Sequence, residues 1–508
     1  MQDLSFTSTH GRAITYVTNF SFVVPGGTYY LFAYRTELAT MKAIEVELRI
    51  FDTLTRGLVP VRNSSQGGNG IRIYCCGPTV YRDAHVGNLR TFLLTDIVTR
   101  TLRFLGHKVT VVQNITDVGH LSEDFAEDKI IAQSRIEKRD PFAIAREYEA
   151  HFHHDLAALN ITPANRYPRA SETIELMIAM IEKLMAKGLA YIGDDGTVYF
   201  SASSFPSYGE LSGNRLDALK PGHRYEFVEG GAKRFHADWA LWKSAGTRTE
   251  MIWDSPWGKG FPGWHIECSA MSLHFLAGHI DLHIGGIDLR FPHHEDERAQ
   301  SNSITGDEAV SSWLHGEHLL FEGRKMSKSA GNVVLISDVI ARGFDPLAVR
   351  FCFMENRYRS QMDLSWQSIT AADATLRRWR ERYATWRGPV AADSDLVQRR
   401  IAAVIADFAN DLDTPRAMIK LREIEKDQSL SDGEKRLLFE KLDPLFGLDL
   451  TRAIESKELP EGAQKLLNAR AQARANKDFG ESDRLRDQLT ALGIEVRDTA
   501  IGQEWRSI

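Results

Sequence analysis

The chain has 508 residues, 43% of them hydrophobic, a formal net charge of −6 and four cysteines. That size allows about three or four domains at roughly 100–200 residues each. The acidic balance excludes a generally basic nucleic-acid-binding surface, so any such role must rest on local features. Four cysteines in so long a chain exclude a disulfide framework and fit a reducing cytoplasm, with thiols free for metal or chemistry.

The first residues, MQDLSFTSTH, place no basic segment before an apolar run. The apolar stretch from Ala13 to Tyr34 is broken by Asn19 and by Pro25-Gly26-Gly27, which excludes a membrane span. Met41 precedes a more regular sequence. Residues 1–45 are therefore expected to be an N-terminal extension, disordered or created by a misplaced start, with a strand-rich ornament as the alternative. Ile71–Cys76 has strand length and is followed by a Gly77-Pro78 turn. From His85, Leu89, Phe92, Leu93, Ile97, Leu102 and Leu105 recur at helical spacing up to Gly106, and Lys108–Ile115 forms a second strand. Strand, helix and strand in that order predict a βαβ unit and a parallel sheet. Helical patterns cover roughly 124–159 and 171–187. Short strands with Gly, Pro and Ser over about 189–262 suggest an inserted module. Regular α/β pattern resumes at Trp264–Leu276, His279–Ile284, the helix after Pro292 and Leu314–Phe321. Beyond about residue 346 nearly everything reads as helix, with linkers near Gly388-Pro389 and Leu459-Pro460. The expected divisions are 46–365, 366–450 and 451–508.

The stretch FPHHEDERAQS, Phe291–Ser301, sets His293 and Glu297 on one face of a helix opening at Pro292. Alone it reads as a solvated first turn, with Glu295 and Asp296 favoured by the helix dipole. The cysteines change that balance. Cys76 ends the first strand, where parallel sheets present their ligand crevice, and Cys268 lies in the helical GWHIECSAMS. Cys76, Cys268, His293 and Glu297 would make a tetrahedral zinc set. Their wide spacing excludes a local finger. His294 remains an alternative to its neighbour on these residues alone. Cys75 points to the other strand face, and Cys352, in RFCFM, reads as core.

His85-Val86-Gly87-Asn88 opens the first helix, where free N–H groups and a positive dipole end suit phosphate. Far downstream, Lys325-Met326-Ser327-Lys328-Ser329 suits a loop that closes on triphosphate and neutralises a leaving pyrophosphate.

Together these motifs resemble the class I aminoacyl-tRNA synthetases, and within them the cysteinyl-tRNA synthetases. HVGN is similar to the HIGH-type signature and KMSKS is the second signature. YCCGPTVYRDAHVGN, WDSPWGKGFPGWHIECSAMS and HIGGIDLRFPHHEDERAQS resemble the cysteinyl family in particular. The similarity runs from about Ile50 to Arg506.

The resemblance implies an α/β fold: a Rossmann-like parallel-sheet catalytic domain with an insertion, then an all-α helical bundle and a small anticodon-binding region. It implies one zinc ion per chain on Cys76, Cys268, His293 and Glu297, reading the substrate thiolate. It places Thr79 and Trp264 on the amino-acid pocket. It places His85, Gly87, Asn88, Asp288, Lys325 and Lys328 on ATP, with His85, Asn88, Lys325 and Lys328 serving catalysis and Mg²⁺ accompanying ATP. The implied partners are ATP, L-cysteine and tRNA(Cys), for a monomer in the cytoplasm with no membrane attachment. Two alternatives stand beside this: a ligase joining cysteine to a small amine, as in mycothiol synthesis, and a zinc-bearing RNA-binding paralogue without catalysis. The run Thr116–Ile130 departs from the usual family pattern by an acidic insertion at about 119–128, and the final DTAIGQEW also differs.

Arg377, Arg378, Arg380, Arg382 and Arg387 surround Trp379, Tyr383 and Trp386. The rings fall on one helical stripe and are expected to pack, with some of the arginines contacting phosphate. Trp505 and Arg506 are candidates for base stacking and hydrogen bonding.

Overall fold

The computed structural model describes residues 46–64, 70–121, 128–218, 232–326, 331–389, 395–453, 460, 462–499 and 502–507, with the strands Phe20–Val24 and Gly27–Leu31. Those two strands pair as an antiparallel hairpin within one unit, Met1–Glu45, and everything from Val46 onward forms a second.

The second unit is organised by a four-stranded sheet. Its strands are β1 (Ile71–Cys75), β2 (Val109–Gln113), β3 (Leu282–Gly286) and β4 (Trp313–Gly316), in the order β4-β3-β1-β2. All neighbours are parallel, with Leu282 opposite Ile73 and Ile71 opposite Val109. Helix α1 (Val86–Phe104) makes the crossover from β1 to β2, as the periodicity predicts. Its first turn is closed reciprocally: the Asn88 N–H donates to His85 Nδ1 at 3.2 Å, and the His85 N–H donates to Asn88 Oδ1 at 3.3 Å. Helices α2 (Trp264–Phe275) and α3 (His293–Thr305) flank β3 in sequence. The first strand ends at Cys75, so Cys76 begins the loop beyond it and donates its N–H to Ile284 O at 3.3 Å. Helix α3 likewise begins at His293, one residue later than the sequence suggests, with Pro292 as its cap.

Between β2 and α2 the chain builds an antiparallel sheet from Ala190–Ile192, Val198–Phe200, Trp239–Ser244 and Gly260–Pro262. Beyond residue 346 come helices at Leu347–Met354, Trp366–Thr385, Asp395–Ala409, Thr414–Lys426, Asp432–Phe446, Ala463–Ala475 and Phe479–Ala491. Two places depart from the helical expectation: the strand Met362–Leu364 and a final antiparallel hairpin, Ile494–Thr499 with Gly502–Ser507. Gly493, at φ +76°, ends the preceding helix in a left-handed conformation that glycine adopts cheaply, and the chain turns into the hairpin.

A buried charge cluster joins α1 to the helical region. Arg350 and Asp96 are both fully buried, with Nη1 2.7 Å from Oδ2. Arg350 also donates to Phe446 O at 2.7 Å and to Leu159 O and Asn160 O at 3.1 Å each. Arg100 meets the same Asp96 carboxylate at 2.7 Å.

Candidate active site

Cys76, Cys268, His293 and Glu297 converge where the ends of β1 and β3 meet the starts of α2 and α3. Their ligand atoms lie within 4.8 Å of one another, and the residues are 5%, 1%, 1% and 2% exposed. Cys76 Sγ is 3.9 Å from Cys268 Sγ and 3.5 Å from Glu297 Oε1, and His293 Nε2 is 3.0 Å from the same carboxylate oxygen. Ligands about 2.0–2.3 Å from a tetrahedral zinc are about 3.3–3.8 Å apart, so this donor set fits the ion. His293 Nε2 is buried without an aligned hydrogen-bond partner, the kind of orphan a metal would satisfy. Both nitrogens of His294 are engaged: Nε2 lies 3.3 Å from Cys76 Sγ and Nδ1 2.8 Å from His315 Nε2. His294 and His283 nonetheless form a second, overlapping group with Cys76 and Glu297.

The surroundings tune these donors. Burial opposes ionisation of Glu297, yet His283 and His293 hold its carboxyl at about 2. His283 Nε2 sits 3.0 Å from Oε2, which leaves Oε1 facing the cluster. Burial also works to raise the Cys268 thiol, but a hydrogen bond with Cys76 and the attraction of the His293 ring bring it down to about 7. Burial pushes the Cys76 thiol well up. Cys75, on the opposite face of β1, is pushed up to about 12 by burial and takes a hydrogen bond from Thr95.

The two nucleotide signatures meet at the N-terminus of α1. The Val86 N–H donates to Val334 O at 2.9 Å. A Cβ added at Gly87 would come within 2.7 Å of the Met326 methyl, so glycine there admits the second signature. Burial and Arg82 lower His85 to about 4, against a smaller opposing pull from Asp288. The imidazole is therefore neutral at physiological pH. Lys325 is exposed in the short strand Arg324–Lys325. Lys328 lies outside the described residues.

Beside the cluster, the Trp264 ring is 4.1 Å from the His293 ring. Thr79 Oγ1 is 2.5 Å from His120 Nδ1. The sequence motifs gave no role to His120, His283 or His315. His120 falls in the departing run after Thr116, and the other two are in apolar strands, where alternation signals core.

In the helical region, Trp379, Tyr383 and Trp386 are buried, as their spacing suggests. The Trp379 Nε1–H donates to Glu425 at 2.7 Å. The arginines around them are engaged within the chain: Arg377 with Asp373, Arg378 and Arg382 with Glu425, Arg380 with Asp345, and Arg387 with its neighbour's carbonyl. Trp505 is 39% exposed on the final hairpin, while the side chain of Arg506 is outside the described set.

A family model described as the class I (C) tRNA synthetase catalytic domain matches residues 62–374, and one described as the cysteinyl-tRNA ligase anticodon binding domain matches 456–506. Two solved structures share the fold. A Mycobacterium tuberculosis methionyl-tRNA synthetase with methionyl-adenylate aligns at TM-score 0.53 and 16% identity, over 81% of this chain and 96% of its own. A leucyl-tRNA synthetase complex from Agrobacterium radiobacter K84 aligns at 0.55 and 12%, over 77% and 85%. Parallel sheet, paired signatures and catalytic-domain match together define a class I aminoacyl-tRNA synthetase. Among curated relatives, a cysteine–tRNA ligase of Thermus thermophilus is 41% identical over 90% of this chain and 99% of its own. That of Treponema denticola is 36% identical over 91% and 100%. The chain belongs to the cysteine–tRNA ligase family. Among the described residues, no helix is long and apolar enough to cross a membrane.

Proposed function

We propose that this chain activates L-cysteine with ATP and transfers it to the 3′-terminal adenosine of tRNA(Cys), with one zinc ion held by Cys76, Cys268, His293 and Glu297. The observation that carries the reading is the buried convergence of these four ligand atoms, with an orphaned His293 Nε2, against the ring of Trp264. Zinc bound there would prefer sulfur to a serine hydroxyl and ionise a coordinated thiol. A site built around one such group rejects the analogue lacking it by about 10⁴–10⁵.

The chain's own residues do the rest. Thr79 and Trp264 wall the amino acid and hold its carboxylate toward the start of α1. There neutral His85 and the Asn88 side-chain amide donate to the phosphates beside the positive end of the helix dipole, while Asp288 takes the ribose side. The substrate carboxylate attacks the α-phosphorus, giving cysteinyl-adenylate and Mg²⁺-bound pyrophosphate. Lys325 and Lys328 neutralise the charge developing on the leaving group. The terminal ribose hydroxyl of tRNA then takes the acyl group, with alignment as the main contribution. The final helices and hairpin serve the anticodon end, with Trp505 available for stacking. We assign the working form as a cytoplasmic monomer, in keeping with four unpaired cysteines.

The test is cysteine-dependent ATP–pyrophosphate exchange, with serine as control, before and after zinc chelation. Cysteine-specific exchange that disappears with zinc is expected. Its absence from folded, zinc-loaded protein would overturn the reading. Offering tRNA(Cys) or a small amine as acceptor then separates the synthetase from a small-amine ligase. The anticodon-domain match at residues 456–506 favours tRNA.

A further inference from the structure

His120 stands in the run Thr116–Ile130, outside every signature. Its ring lies flat on Trp264, with centroids 4.0 Å apart and planes 9° from parallel. Its Nδ1 is 2.5 Å from Thr79 Oγ1 and its Nε2 is 2.6 Å from Lys129 Nζ. One imidazole thus touches both residues assigned to the amino-acid pocket. The loop carrying it is pinned at both feet. The Gly119 N–H donates to Asp128 Oδ2 at 2.8 Å, and the Lys129 N–H donates to His120 O at 3.0 Å. Gly119 holds φ +83° there, and a Cβ would come within 2.5 Å of Pro262 O.

The partners fix the tautomer. A lysine ammonium only donates, so Nε2 must accept and carries no proton. A neutral ring then bears its proton on Nδ1 and donates it to Thr79 Oγ1. The Thr79 hydroxyl, having accepted there, is left to donate its own proton to another group. Cysteine brings two anionic groups to this pocket, its carboxylate and its ionised sulfur, and either needs a donor.

We propose that His120, oriented by Lys129, is a positioning residue for substrate cysteine: it fixes the Trp264 wall and turns the Thr79 hydroxyl into a donor toward an anionic group of the bound amino acid. This rests on the proposed cysteine activation.

The experiment measures ATP–pyrophosphate exchange for the zinc-loaded wild type, His120→Phe, His120→Asn and Lys129→Met, with zinc content determined for each. His120→Phe keeps a flat ring on Trp264 and loses both hydrogen bonds. It should raise KM for cysteine roughly 10- to 100-fold, the scale of a lost donor facing a charged group, with KM for ATP and zinc content unchanged. His120→Asn can still donate to Thr79 but loses the ring on Trp264 and the reach to Lys129, and should recover only part of the loss. Lys129→Met should follow His120→Phe in direction. An unaltered cysteine KM in His120→Phe overturns the proposal. So does a parallel rise in both KM values, or loss of zinc, which would mark His120 as scaffold. Lack of cysteine-dependent exchange in the wild type would instead remove the functional reading itself.

Discussion

Replacing Arg350 with methionine would test how much the buried charge cluster contributes. The side chain is fully buried, and its guanidinium serves the Asp96 carboxylate and three backbone carbonyls. Methionine fills much of the stem volume, so the loss is mainly polar. Asp96 would keep Arg100 and the Thr162 N–H at 2.9 Å, and Asn160 O would keep Arg100 Nη2 at 2.7 Å. Leu159 O and Phe446 O would lose the guanidinium. Two stranded carbonyls at about 1–3 kcal/mol each agree with the roughly 3–5 kcal/mol seen when one partner of a buried ion pair is removed. The expectation is therefore a loss of about 4 kcal/mol, read from the urea midpoint and slope of the zinc-loaded protein. Asp96→Asn combined with Arg350→Met should not recover the loss, since Arg100 and the Thr162 N–H still satisfy Asp96 while the Leu159 and Phe446 carbonyls stay stranded. A loss below about 1 kcal/mol in Arg350→Met would show that desolvation cancels the cluster, and would refute the reasoning.

Cys268→Ser should bind far less than the wild type's expected single zinc, measured by elemental analysis. Chelation should abolish cysteine-dependent exchange with little change in far-UV circular dichroism, because the ligands sit on an already packed sheet. For His85, burial and Arg82 lower the ring from 6.5 to about 4. The folded state then binds fewer protons than the unfolded chain between those values. Its stability contribution is complete above pH 6.5 and is lost as pH falls through about 4. The fall in Tm from pH 7 to pH 5 should accordingly be shallower in His85→Asn, and identical slopes would contradict a neutral, half-buried ring. Gly77→Ala should cost both zinc and exchange activity, since a Cβ there collides with the Asn114 carbonyl and displaces the neighbouring Cys76; wild-type zinc content would count against that.

The βαβ unit was legible because Leu89, Phe92, Leu93 and Ile97 repeat at helical spacing and are all buried, between strands that are short apolar runs. Cys76 could be suspected because a parallel sheet presents its strand ends to a ligand. No pattern of period shows that Cys268 lies 3.9 Å from it, since only the tertiary fold joins positions so distant. His283 was illegible for a different reason: in the fully buried β3 every residue looks like core, and a polar side chain aimed at Glu297 leaves no trace in the alternation. His120 was hidden by its acidic surroundings, which suggested a solvated loop. The last hairpin was missed because IEVRDT and GQEWRS are short and polar, and pair only with each other. Around Trp379, helical spacing indicated packed rings, but the carboxylates that occupy Arg378, Arg380 and Arg382 are Glu425 and Asp345, on other elements.

The Cys76–Cys268–His293–Glu297 cluster is assembled from residues far apart along the chain: 221 positions separate Cys76 from Glu297. At about 5–20 residues per second, a ribosome would need roughly 10–40 s to bring the last ligand out after the first. During that interval β1, α1 and β2 can fold, but no complete metal site can guide them. The Cys76 thiol must wait in reduced form, next to Cys75, until α3 emerges. On the proposed zinc assignment, metal loading is a late event in the birth of this protein, and a nascent chain halted before α3 would carry a formed first crossover and an incomplete cluster.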